Sequence, residues 1–213
     1  MSQSIWSTLI LALVANLLWV MGIHGPNTIA AVRDTMFAEA NIENLKYVTE
    51  NLTAWGAPYP NTWALVDAFA NYGGSGTTLG LIIAIFIFSK AKDQKDIAKL
   101  SFAPGLFNIN ESVIFGLPIV LNPIFIIPFL LAPIINIFIG YLAITLKIIP
   151  PIAYGVPWTT PGPLIPFLGT GGVFMGLVVG IVCLLVSVAV YAPFVIASNK
   201  TASNLEETNA QNF

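Results

Sequence analysis

Between Glu111 and Lys200 the chain carries a single charged side chain, Lys147. Nothing in that stretch can cover a water-facing surface. Ordinary globular domains draw roughly a quarter of their residues from Asp, Glu, Lys and Arg. Here the figure is 8% over 213 residues, with 56% hydrophobic residues and a mean hydropathy of +0.83. The expectation is an all-α integral membrane protein. The first apolar run, residues 5–23, is long enough for a hydrocarbon core of roughly 30 Å. Residues 1–7 contain no Lys or Arg and no small-residue cleavage site follows, so this run is expected to be a retained transmembrane helix, not a signal.

Composition also excludes. A net charge of −2 without basic stripes argues against nucleic acid. One cysteine, Cys183, leaves neither an internal disulfide nor a multi-thiolate metal site. The lone His24 argues against zinc. No metal and no cofactor is expected.

Further along, Ile42, Leu45, Val48, Leu52 and Trp55 fall at helical spacing opposite Glu43, Lys46 and Glu50. They predict one amphipathic helix within residues 33–55, lying on the protein's own aqueous face or in the lipid interface. Residues 61–89 are split by Gly73-Gly74-Ser75-Gly76, as one kinked helix or as a hairpin. Residues 90–99, with four lysines, read as a loop, and the positive-inside bias puts them in the cytoplasm. Lys200 places the C-terminus on the same side. Residues 101–117 are too polar for a simple span and suggest a re-entrant hairpin. Two strong spans follow, 119–149 with three prolines and 172–197 with Gly172, Gly176 and Gly180 in a stripe that permits close helix approach. Residues 201–213 form a polar tail.

Glu111 is the most informative residue. An ionisable group inside apolar sequence normally faces a cavity or a partner; the plainer alternative is a wet loop tip. His24 precedes a Gly-Pro break, and two interrupted segments bearing such groups point to a transporter's binding site. The polar residues nearby are amides and hydroxyls: Asn27, Thr28, Asn108 and Asn110. They suit a neutral polyhydroxyl ligand better than an anion. Tyr154 and Trp158 offer flat faces for sugar rings, although Trp158 reads equally as an interfacial anchor. Asp67 and Asn71 form a further polar patch with no evident partner.

Several motifs then occur in order: Gly22-Ile23-His24-Gly25, Phe107-Asn108-Ile109-Asn110-Glu111, Phe115-Gly116-Leu117-Pro118-Ile119-Val120-Leu121-Asn122-Pro123, and Gly155-Val156-Pro157-Trp158-Thr159-Thr160-Pro161. Together they resemble the lactose/cellobiose family of phosphotransferase-system enzyme IIC components. The resemblance implies a membrane bundle with re-entrant hairpins in the bacterial cytoplasmic membrane. It implies uptake of a β-linked disaccharide, phosphorylated by a IIB partner that is itself charged by IIA. It gives His24 and Glu111 the places of the family's key histidine and glutamate at the sugar, with Glu111 on the reacting hydroxyl as the candidate general base, Asn110 and the neighbouring amides as further sugar contacts, and Trp158 stacked on a ring. Cys183 is not expected to carry phosphate, since the family's phosphocysteine belongs to IIB. Ser112 stands where the family more often has proline. Family chains are about twice as long, so residues 1–200 are expected to be the substrate-binding half, dimeric when the other half is supplied. The rival expectations are a proton-coupled sugar transporter working through Glu111 and a non-transporting membrane remnant.

Overall fold

The computed structural model describes residues 4–117, 119 and 122–211, with side chains described up to Asn199. Pro118, Val120 and Leu121 of the motif, and the side chains of the polar tail, lie outside the described residues. Among the described residues every regular element is helical.

Helix α1 (Ile5–Val20) is apolar but for Ser7, Thr8 and Asn16. It buries Ala12 and Ala15 and exposes Trp6, Ile10 and Leu17. A short helix α2 (Gly25–Thr28) leads into α3 (Ala30–Asn51). The amphipathic helix is therefore present, but it packs through a face that shares only Val48 with the predicted one. Phe37, Ala40, Asn44 and Val48 are buried, while Ile42, Leu45 and Leu52 stay exposed. Asn44 joins the buried face by hydrogen bonding. Its Nδ2 donates to the Tyr59 carbonyl at 2.8 Å, and its Oδ1 accepts from the Tyr59 N–H at 3.0 Å. Hydropathy spacing carries no trace of that pairing.

Residues 61–89 form two helices, α4 (Trp63–Phe69) and α5 (Thr78–Phe88), separated by the glycine break. They do not fold back on each other. Phe69 packs against Gly140 and Gly76 against Phe129, both on α8 (Pro123–Thr145), so the chain runs antiparallel along that helix. It then continues beside α10 (Phe174–Gln211), where Gly80 meets Ser187 and the Phe88 carbonyl accepts from Asn199. The kinked-helix alternative describes this course, and the hairpin alternative does not.

The lysine-rich residues 90–99 are mostly helical, not a loop. Helix α6 (Lys92–Leu106) begins there with Asp93 in its first turn. Its charges alternate in sign, and Lys99 pairs with Asp96 at 3.1 Å. Ala98, Ser101 and Gly105 give it a buried stripe at helical spacing. Charge density marked the segment as solvated, and it is solvated on one face only. Helix α7 (Glu111–Gly116) returns alongside α6, bringing Gly116 against Ile97. The expected hairpin is thus α6–α7, with its tip at residues 107–110.

Residues 150–163 lack regular helix and are followed by α9 (Leu164–Gly169). This segment also doubles back: the Ala153 and Tyr154 N–H groups donate to the Gly169 carbonyl at 2.9 and 3.1 Å. Gly176 and Gly180 let α10 approach Pro166 and Pro163 closely, whereas Gly172 lies before the helix and serves no such contact.

Two helices are long and apolar enough to cross a bilayer, Pro123–Thr145 and Phe174–Asn199, with mean hydropathies of 2.3 and 2.6. Only 33% of the second is buried inside the protein, so its apolar surface faces outward. A core helix of a soluble protein would be enclosed. Two apolar clusters pack this bundle. One is built on Phe37, Trp63, Phe69 and Ile165, the other on Ile82, Ile85, Ile114 and Phe129.

Candidate functional site

The two doubled-back segments approach from opposite ends of the apolar span of α10, Phe174–Asn199. Near its C-terminal end, Asn199 accepts from the Lys90 N–H at 2.8 Å and Gln94 donates to Ser198 at 3.1 Å. Near its N-terminal end lie Pro163 and Pro166. At 1.5 Å per residue these ends stand roughly 30 Å apart. The tips meet between them, at Asn108.

Asn108 has a left-handed backbone, φ 64°, which asparagine tolerates better than most residues. Its Oδ1 accepts from the Gly73 N–H at 2.9 Å. Its Nδ2 donates to the Trp158 and Thr160 carbonyls at 2.6 and 2.8 Å. One side chain therefore ties together the α4–α5 break, the α6–α7 tip and the 157–161 tip. Both amide protons are engaged within the protein, so Asn108 frames the site through Trp158 instead of offering a donor to a ligand. Asn110 donates to the Ser75 carbonyl at 2.9 Å. Gly74 makes this possible: at φ 91° it has no side chain, and a Cβ there would lie 2.6 Å from Asn110 Cγ and 2.9 Å from the Asn108 carbonyl oxygen. The Gly76 carbonyl is met by the Tyr191 hydroxyl at 2.6 Å, and the Gly73 carbonyl by Thr78. Non-helical backbone at membrane depth requires such partners.

These breaks line a cavity of about 1060 Å³. His24, Asn27, Asn108, Asn110, Glu111 and Trp158 all border it. His24 caps α2: its Nδ1 accepts the Asn27 N–H at 3.3 Å, which in the neutral ring leaves Nε2–H as an outward donor. The Trp19 ring lies 4.7 Å from the imidazole, centroid to centroid. Glu111 opens α7 and is exposed to the cavity; it forms no hydrogen bond or ion pair with the described residues. Trp158 presents an exposed ring while Asn108 fixes its carbonyl.

The cavity also gathers residues that sequence reasoning left apart. Asp67 and Asn71 now have a partner in each other, Asn71 Nδ2 donating to Asp67 at 3.1 Å. The Arg33 guanidinium sits 5.6 Å from the centre of the Trp63 ring. It also donates to Asp34 at 2.7 Å, which holds that carboxyl below the ordinary range. Trp19 and Trp63 gave no sequence signal, since each lies in an apolar run. No group of metal-ligating side chains occurs among the described residues.

Membrane-type apolar surface, paired re-entrant segments and a central polar cavity define a transporter-like membrane domain. The comparisons make this specific. The family profile "Phosphotransferase system, EIIC" matches residues 1–133. The cellobiose-specific EIIC component of Lactococcus lactis subsp. lactis is 41% identical, covering 98% of this chain and 45% of the relative. The oligo-beta-mannoside-specific EIIC component of Bacillus subtilis is 35% identical over 94% of this chain and 45% of its own length. The crystal structure of the transporter ChbC, the IIC component of the N,N'-diacetylchitobiose-specific phosphotransferase system, superposes with a TM-score of 0.89 at 31% identity, over 96% of this chain and 47% of that one. The chain belongs to the EIIC family of the phosphotransferase system, and its fold is the all-α membrane fold of that transporter. It spans a little under half the length of the relatives it matches.

Proposed function

We propose that this chain is the sugar-binding half of a phosphotransferase permease, taking up a β-linked disaccharide that a phosphorylated IIB partner modifies at the 6-hydroxyl. The observation that carries this reading is the convergence of His24, Asn27, Asn110, Glu111 and Trp158 on one cavity whose hydrogen-bonding side chains are mostly uncharged. Relatives named for cellobiose, oligo-beta-mannoside, lichenan and lactose support the substrate class.

In this reading Glu111 accepts the hydrogen bond of the reacting hydroxyl and takes its proton as that oxygen attacks phosphorus. The phosphorus–sulfur bond to the IIB cysteine breaks in the same step. His24 donates from Nε2 to a sugar oxygen, Asn110 accepts at its free carbonyl oxygen, and Trp158 stacks on a ring. Holding the hydroxyl in place is the larger part of the work, since positioning alone removes much of the barrier. Lys90 lies beside Asn199, at one end of the bundle. That placement supports a shared cytoplasmic side for the lysine-rich segment and the C-terminus of a multi-pass chain. Dimerisation and full transport belong to the longer assembly that includes the complementary half.

The test is sugar titration in nanodiscs. Glu111→Gln and His24→Ala are expected to weaken cellobiose binding by about tenfold or more, the loss of a charge-assisted hydrogen bond. Undiminished affinity in both variants sinks the assignment. Accumulation of unmodified sugar without IIB favours proton coupling through Glu111 instead.

A further inference from the structure

The break between α4 and α5 is strained at one point. Gly73, Gly74, Gly76 and Thr77 all have positive φ. Glycine adopts that conformation freely, but Thr77 is β-branched and holds it at φ 51° against steric strain. Such a residue persists only where its surroundings over-determine it. Two consecutive carbonyls show what grips the turn from outside. The Ser75 carbonyl accepts from Asn110 Nδ2 at 2.9 Å. The Gly76 carbonyl accepts from the Tyr191 hydroxyl at 2.6 Å. Thr77 Oγ1 also donates to the Gly76 carbonyl at 2.7 Å, but that bond lies inside the turn and moves with it. The Phe129 ring occupies the place a Gly76 Cβ would take, so it adds contact without a hydrogen bond. Tyr191 belongs to a fully buried stripe of α10, with Cys183, Ser187 and Val195 at four-residue spacing. Ser187 donates within α10, and Cys183 meets the Asn136 carbonyl on α8. Tyr191 is the member of the stripe that sends its polar atom to the break. Phenylalanine would fill the same space with no hydroxyl to satisfy, and a buried hydroxyl is costly unless it is bonded.

We propose that Tyr191 is a positioning residue for Glu111, acting through the strained turn. Its hydroxyl fixes the Gly76 peptide. The adjoining Ser75 carbonyl is then held towards Asn110, and Asn110 sets the start of α7, where Glu111 stands. The last link is made by backbone: the Asn110 carbonyl accepts from the Val113 and Ile114 N–H groups at 3.1 and 2.9 Å. Tyr191 does not itself border the cavity. It gives a membrane span a hold on the carboxylate without touching the ligand. The effect on affinity rests on the sugar-binding reading above, whereas the effect on the backbone rests on the hydrogen bonds alone.

The experiment uses Tyr191→Phe, which keeps the ring and removes the hydroxyl, on the purified chain in nanodiscs. Cellobiose binding is expected to weaken about threefold to tenfold. In the Asn110→Ala background the same substitution is expected to change affinity by less than about twofold, because the path is already cut. Additive losses, or unchanged affinity in Tyr191→Phe, overturn the proposal while the sugar-binding reading stands. Ser187→Ala, one turn away on the same stripe, is expected to leave affinity unchanged; an equal loss there assigns the effect to the packing of α10 and overturns the proposal. Amide hydrogen exchange reads the same path without sugar, and decides the case if the double variant does not fold. Tyr191→Phe is expected to speed exchange at Val113 and Ile114 about fivefold or more and to leave residues 183–190 within about twofold. Faster exchange confined to α10 overturns the proposal. Failure of the wild-type chain to bind cellobiose overturns the sugar-binding reading, and exchange then decides on Tyr191 by itself.

Discussion

The α8–α10 seam and the Asn108 junction are both buried polar contacts between distant parts of the chain, and they are built on opposite logic. In the seam, each helix satisfies its own backbone except in the turns before Pro128, Pro133 and Pro193. Asn136 donates to Ser187 at 2.8 Å and Ser187 donates back to the Cys183 carbonyl at 2.9 Å, as additions to a complete structure. At the junction the backbone is incomplete, and Asn108 completes it for three segments. A continuous span is self-sufficient and presents only side chains. A broken span exposes backbone, must borrow partners, and in doing so builds a concave polar site.

That contrast can be broken by substitution. Asn108→Ala removes three hydrogen bonds and strands a buried N–H at residue 73 and two half-buried carbonyls at residues 158 and 160. It is expected to cost about 3–5 kcal/mol, seen as a large drop in thermal midpoint in detergent together with loss of sugar binding. Gly74→Ala should follow at about 2–3 kcal/mol, because the new Cβ meets Asn110 and φ is positive. Its control is Gly155→Ala, where a Cβ meets nothing within 4 Å and stability should hold within about 0.5 kcal/mol. Asn136→Ala should have the smallest effect of the polar pair, about 1 kcal/mol or less, with sugar affinity unchanged. If Asn136→Ala proves as damaging as Asn108→Ala, the distinction between the two regions fails.

The sequence made the spans legible because their signal is composition itself: residues 123–145 and 174–199 leave nothing else for their side chains to do. It made His24 and Glu111 legible as polar residues beside chain breaks. The lysine-rich segment misled because charge density says wet, and an amphipathic helix is wet on one side. The packed face of α3 was hidden because Asn44 earns its burial through Tyr59, a pairing across 15 positions. Asp67 and Asn71 were visible as polar, yet only the fold brings Trp63 and Arg33 to them. The role of Asn108 was the least legible. An asparagine at a chain break suggests a ligand contact, and nothing local says that its partners are backbone groups 35, 50 and 52 residues away.

Those separations set an order of assembly. As the chain is made, Gly73 emerges first, Asn108 second, and the carbonyls of Trp158 and Thr160 last. Until residue 158 has left the ribosome, Asn108 can close only one of its three bonds, and the third waits for residue 160. The break between α4 and α5 must meanwhile wait half-finished beside a growing bundle. The Asn108 junction is therefore the last part of the first 160 residues to take shape, completed by the 157–161 tip.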